Sequence, residues 1–150
     1  MKTLILYQSL YGYTKRCAEY LNLKIDNSDM FDIKSKDYCL EDYEKILIGA
    51  PLYIGEIEKT AKKYIEDNKF VLLERKLGLF CAGMSKEEFH IAVQDSLPPN
   101  IFYHADIIHC GGVVDFPKLT LREKYTIWRR LKVRKSIIDE NFESLDELVE

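Results

Sequence analysis

The chain has 150 residues, 47% hydrophobic and 31% charged, with a formal net charge of −3, which suits one domain with a full core and gives no sign of a second. No apolar run reaches bilayer length, and the N-terminal one is broken at Gln8 with no cleavage pattern after it, so a cytoplasmic protein is expected.

The first predicted elements are a strand over 2–7, ending in Ile5-Leu6-Tyr7, and a helix over 13–23. Between them lies Gln8-Ser9-Leu10-Tyr11-Gly12. A tight strand-to-helix loop converges backbone N–H groups on an anion, and Ser9 and Thr14 add hydroxyl donors. The first helical turn carries Lys15 and Arg16 and no acid, so none of its own side chains complements the positive end of the helix dipole. The helix predicted over 56–68 differs, opening on Glu56 and Glu58 and turning basic at Lys59, Lys62 and Lys63. A phosphate fits the first loop, the alternative being an ordinary strand-to-helix turn. The Gly-x-Gly-x-x-Gly and Gly-Lys-Ser/Thr phosphate motifs are both absent. Gln8-Ser9 and Gly49-Ala50-Pro51 stand where a receiver domain carries acids, and Cys17 lies past the loop where a thiolate phosphatase keeps its cysteine.

Further strands are predicted over 30–34, 45–50, 77–82 and 106–110, and helices over 56–68, 85–95 and 121–141. Residues 37–43 leave room for one helical turn. The run Ile46-Leu47-Ile48-Gly49-Ala50 is continuously apolar, as a central strand buried on both faces requires. Ser85 and Glu88 form a capping box, and Glu87 and Glu88 suit the positive end of that helix better than they suit acid catalysis. The alternation argues for an α/β fold: a single domain over 1–150, a doubly wound parallel sheet of five strands, and helices on both faces. Such a sheet binds ligand beyond the carboxyl ends of its strands, at the switch point between the first and third. That rule gathers the loops at 9–14, 50–56 and 82–86.

Tyr53 offers a stacking face to a flat ligand, and Gly55 and Gly83 permit close backbone approach. His90, His104 and His109 are unclustered, and His109, in the last strand, reads as a satisfied core residue. Cys17, Cys39, Cys81 and Cys110 form no Cys-x-x-Cys pair or metal-ligand spacing; they read as buried thiols, and no metal site is expected. Catalytic residues are left unassigned.

Over 118–135, eight basic residues face one acid, Glu123, so this segment carries +7 and the remainder −10. Leu121, Tyr125, Ile127, Trp128 and Leu131 recur at helical spacing through it. The segment is read as a last helix packing on the sheet, the alternative being peripheral contact with an anionic membrane. Nucleic-acid binding is not expected, since no recognition motif accompanies the charge.

The pattern Ile5-Leu6-Tyr7-x-Ser9-x-x-Gly12-x-Thr14-x-x-x-Ala18-x-x-Leu21 resembles the flavodoxin signature, departing from many members at Tyr11, where they carry Ser or Thr. The resemblance implies the flavodoxin strand order 2-1-3-4-5 and FMN as cofactor. It places the FMN phosphate on Ser9, Gly12 and Thr14 and on the backbone N–H groups from Leu10 through Tyr11 and Tyr13 to Thr14. The flavin ring is then flanked by Pro51, Leu52, Tyr53, Ile54 and Gly55 on one side and by Ala82, Gly83 and Met84 on the other. Gly49-Ala50, Gly55 and Gly111-Gly112-Val113-Val114-Asp115-Phe116-Pro117, leading into the basic aromatic segment, are similar to the flavodoxin-domain group that includes menaquinone-dependent protoporphyrinogen dehydrogenases. That implies an FMN-dependent oxidoreductase with a porphyrinogen or quinone as electron partner. Those enzymes carry a long insertion around the last strand, whereas here Asp95-Ser96-Leu97-Pro98-Pro99-Asn100 leads to it almost directly. A small electron-transfer flavodoxin is the second reading, and a cofactor-free interaction module the third; the intact phosphate loop argues against the last.

Overall fold

Period-two alternation sorts the strand side chains to two faces. β1 (Thr3–Tyr7) sends Leu4 and Leu6 one way and Ile5 the other; β3 (Lys45–Tyr53) does the same with Ile46 and Ile48 against Leu47, and β5 (Lys76–Ala82) with Leu77 and Leu79 against Phe80. None of these nine side chains is more than 4% exposed, and each contributes roughly 1.5–3 kcal/mol by leaving water. The computed structural model describes residues 1–53, 55–83, 86–114, 120–125 and 137–150.

With β2 (Ser28–Asp32) and β6 (Asp106–His109) the strands form one parallel sheet of order β2-β1-β3-β5-β6. This is the expected doubly wound order, with the two-residue β4 (Glu56–Ile57) added antiparallel to β3. On the face of Ile5, Leu47 and Phe80 lie α1 (Tyr13–Lys24), through Cys17, Ala18 and Leu21, and a 3-10 helix, Glu143–Leu148, through Leu145 and Leu148. The opposite face packs under α2 (Lys59–Asp67), α3 (Lys69–Leu73), α4 (Lys86–Ser96) and α5 (Pro99–His104), whose Ile65, Leu72, Val93 and Ile101 are at most 1% exposed.

Four local expectations change. The predicted helix over 56–68 begins only at Lys59, because Glu56 and Ile57 pair with Tyr53 and Leu52 and the Glu58 carboxylate caps the helix at that point. The second strand sits two residues early, held by Thr3↔Ser28 pairing. The predicted helix over 121–141 is not continuous: 121–125 is helical, but Ile137–Glu140 is a strand, β8, antiparallel to β7 (Gly111–Val114) in a separate two-stranded ribbon. Most of the basic segment lies outside the described residues. Cys39, expected to be buried, is exposed, with Sγ 3.0 Å from Glu41 Oε2. The turn allowed for at 37–43 is a 3-10 helix, Leu40–Asp42. The short link before the last strand of the sheet holds α5, and the β7–β8 ribbon comes after that strand.

Candidate functional site

Pairing of β1 with β3 ends at Tyr7↔Gly49 and pairing of β3 with β5 at Pro51↔Ala82, so the segments after these strands leave from one edge of the sheet. The three loops gathered by the switch-point rule therefore share that edge.

The first loop is closed by its own short side chain. Gln8 N–H still donates to Gly49 O at 2.8 Å, continuing the strand, and then Gly12 N–H donates to Ser9 Oγ at 2.9 Å. Gly12 has φ 98°, a left-handed conformation that costs other residues about 1–2 kcal/mol. Among the described residues a Cβ built on Gly12 would meet nothing within 4 Å, so the glycine serves the turn and not a close contact. α1 starts at Tyr13 with no side-chain cap and no acid in its first turn, and its first internal bond is Arg16 N–H to Gly12 O at 3.1 Å. Among the described residues no side chain accepts from its leading N–H groups, the donors a helix start leaves without an internal partner.

Side chains around this loop are committed elsewhere. Tyr13 is buried: its hydroxyl donates to Cys110 O at 2.5 Å and accepts from Asn141 N–H at 3.0 Å, and burial holds the phenol well above its ordinary pKa. It therefore faces the ribbon, leaving its backbone N–H for a ligand. Arg16 is paired with Glu140 at 2.8 Å, which raises its pKa further. Leu10 and Tyr11 are each 41% exposed, and Thr14 is buried. Tyr11 hydroxyl donates to the buried carboxylate of Glu123. Glu123 also accepts from Thr120 N–H at 3.0 Å while Thr120 Oγ1 accepts from Glu123 N–H at 3.2 Å, a capping box opening the helical residues 121–125. Sequence reasoning missed this tie between the first loop and Glu123. The Thr120-x-x-Glu123 spacing was its visible signal.

The second segment is not a loop. Pro51, Leu52 and Tyr53 continue β3, and the pairs Leu52↔Ile57 and Tyr53↔Glu56 reduce the turn to residues 54–55, with Gly55 at φ 80°. Pro51 O accepts from Glu58 N–H at 2.9 Å, fixing the hairpin to the start of α2. Ile54 and Met84 lie outside the described residues, as does the capping box expected from Ser85. At the third segment, Ala82 and Gly83 are buried. Gly83 N–H donates to Gly111 O at 2.8 Å, and a Cβ on Gly83 would stand 2.6 Å from Leu52 Cδ1, so only glycine lets these two segments touch. His109, expected to be satisfied, is only half so: Nε2 lies 2.7 Å from Gly83 O, whereas Nδ1 is buried and has no partner among the described residues.

Away from this edge, Cys17 and Cys110 are buried with their sulfurs 3.7 Å apart, and burial pushes the Cys81 thiol up to about 12. Neither group meets the condition for a reactive thiolate. No helix among the described residues is long and apolar enough to cross a membrane.

The edge thus offers helix-terminal and loop N–H donors suited to an anion, beside the apolar contact of Leu52 in the β3–β4 hairpin with Gly83 at the end of β5. A family model described as a flavodoxin domain matches residues 4–139. The chain is 32% identical over 84 residues to a flavodoxin of Clostridium saccharobutylicum, an alignment spanning about half the length of each (52% and 52%). Among solved structures, a flavodoxin, WrbA-like protein from Agrobacterium tumefaciens superposes with TM-score 0.60 at 17% identity, covering 83% of this chain and 88% of that one. A Lactobacillus acidophilus flavoprotein solved in complex with FMN superposes with TM-score 0.56 at 19% identity, covering 74% and 92%.

Proposed function

The chain belongs to the flavodoxin domain family, and on that footing we propose that it binds FMN at the carboxyl edge of its sheet and transfers electrons between redox partners. The observation that carries this reading is the start of α1: a left-handed Gly12 and, among the described residues, no side-chain cap and no acid in the first turn. A phosphate dianion there gains about 0.3–1 kcal/mol per charge from the helix dipole besides charge-assisted hydrogen bonds. Ser9 and Thr14 hydroxyls and the N–H groups from Leu10 to Thr14 would hold the phosphate. Pro51 to Gly55 and Ala82 to Met84 would flank the ring. Bound FMN supplies the redox chemistry of its isoalloxazine; the protein binds, orients and dries it.

Electron transfer to a soluble partner is the reading favoured by the relative named flavodoxin. A narrower proposal, a quinone-linked or porphyrinogen-oxidising enzyme near a membrane, rests on the basic segment 118–135 and on Leu121 and Tyr125, which are 85% and 57% exposed. The test is to purify the full chain, add FMN, remove the excess, and record the visible spectrum and the melting temperature. Retained flavin bands and a melting temperature raised in proportion to log FMN are expected. Absence of both overturns the reading; retained flavin makes quinone and porphyrinogen turnover the next assays.

A further inference from the structure

His109 occupies the last position of β6, opposite Cys81 of β5, with its ring edge-on to Phe89 of α4 at 4.9 Å and 64°. Its Nε2 lies 2.7 Å from Gly83 O. A carbonyl only accepts, so Nε2 carries a proton, and in the neutral ring Nδ1 is then an acceptor. That acceptor is buried with no donor among the described residues, a cost that a leucine at this position would avoid. What the imidazole contributes beyond packing is therefore the N–H on Gly83.

Gly83 is held at both polar ends, by Gly111 O on its N–H and by His109 on its carbonyl, and Leu52 packs on its α-carbon. One side chain thus fixes the peptide at which two of the three segments of the site meet. We propose that His109 is a positioning residue for the flavin ring: through Gly83 it holds the end of β5 against Leu52 of the β3–β4 hairpin, and so sets the surface that these two segments present to the ring. This rests on the FMN reading above. His109 acts on the ring end alone, since the phosphate loop is closed independently by Ser9 and Gly12.

The experiment titrates wild type, His109→Leu and His109→Gln with FMN and with riboflavin, which lacks the phosphate, and records visible circular dichroism of the bound flavin. His109→Leu is expected to weaken both ligands by the same factor, about three- to ten-fold, the worth of one neutral hydrogen bond. It should also change the flavin dichroism. Glutamine places an amide N–H near the Nε2 position and should restore affinity and spectrum. Unchanged binding in His109→Leu, or a glutamine variant as weak as the leucine one, overturns the proposal. Nitrogen NMR of the ligand-free wild type gives an arm independent of FMN and of how the variants fold: a proton on Nδ1 instead of Nε2 overturns the proposal. Failure of wild type to bind FMN overturns the functional reading, while the tautomer still reports on the His109 contact.

Discussion

Two helices begin at neighbouring strands and treat their positive ends in opposite ways. α2 is capped from within: Glu58 accepts from Thr60 N–H at 2.9 Å and Ala61 N–H at 3.2 Å, and Lys63 and Asp67 pair one turn later. α1 has Gly12 at its start, no carboxylate in its first turn, and Lys15 and Arg16 where acids would be stabilising. One terminus is capped by its own Glu58, and at the other no side chain among the described residues caps the helix. That difference is what the proposed phosphate site rests on.

The comparison breaks most sharply at Thr14, which is buried in the first turn of α1. Thr14→Glu puts a carboxylate where the phosphate is to sit, and FMN affinity should fall by more than about 100-fold, since an unpaired charge there opposes the dianion. Fluorescence titration, run beside a melt of the ligand-free protein, reads this; an affinity close to wild type would remove Thr14 from the site. Next in size is Glu58→Ala. Loss of that cap should lower stability by about 1 kcal/mol in urea denaturation, with FMN affinity unmoved, because α2 takes no part in holding phosphate. Lys15→Glu has the smallest effect and the most diagnostic signs. It gives α1 the acid it lacks, raising ligand-free stability by about 0.3–1 kcal/mol while weakening FMN a few-fold. Changes of the same sign in both quantities would show that the dipole of α1 is not engaged by the ligand.

The start of α1 was legible because its signals are local: a strand, a hydroxyl, a glycine and a helix within a few residues, each readable from its neighbours. The strand order came from the alternation of elements and the resemblance. What escaped was decided at a distance. Ile137 and Ile138 continue a helical spacing from Leu121, yet they pair with Val114 and Val113, more than 20 positions earlier, and tertiary pairing overrides a local period. Glu56 and Ile57 look like the first turn of a helix, but Tyr53 and Leu52 capture them as a strand. At the site, Leu52 stands out by its loop and Gly83 by its conformational freedom, but His109 looks like an ordinary core residue. Their relation exists only because β3, β5 and β6 lie side by side, and nothing in the spacing of those residues announces it.

The two faces of the sheet also differ in when they can be finished. The face under α2 to α5 draws its side chains from Leu4 to Ile107, a continuous stretch of chain. The face under α1 needs Leu145 and Leu148 on top of Ile5, Leu47 and Phe80, so it closes only after the ribbon and its connection have been made. On a ribosome, one side of the sheet can be dry while the other still shows isoleucine, leucine and phenylalanine to water or to a chaperone. Long-range closure of that kind is slow, and α1 lies on the side that waits. The start of α1, where the phosphate is proposed to sit, is thereby finished only once Leu145 and Leu148 have been synthesised.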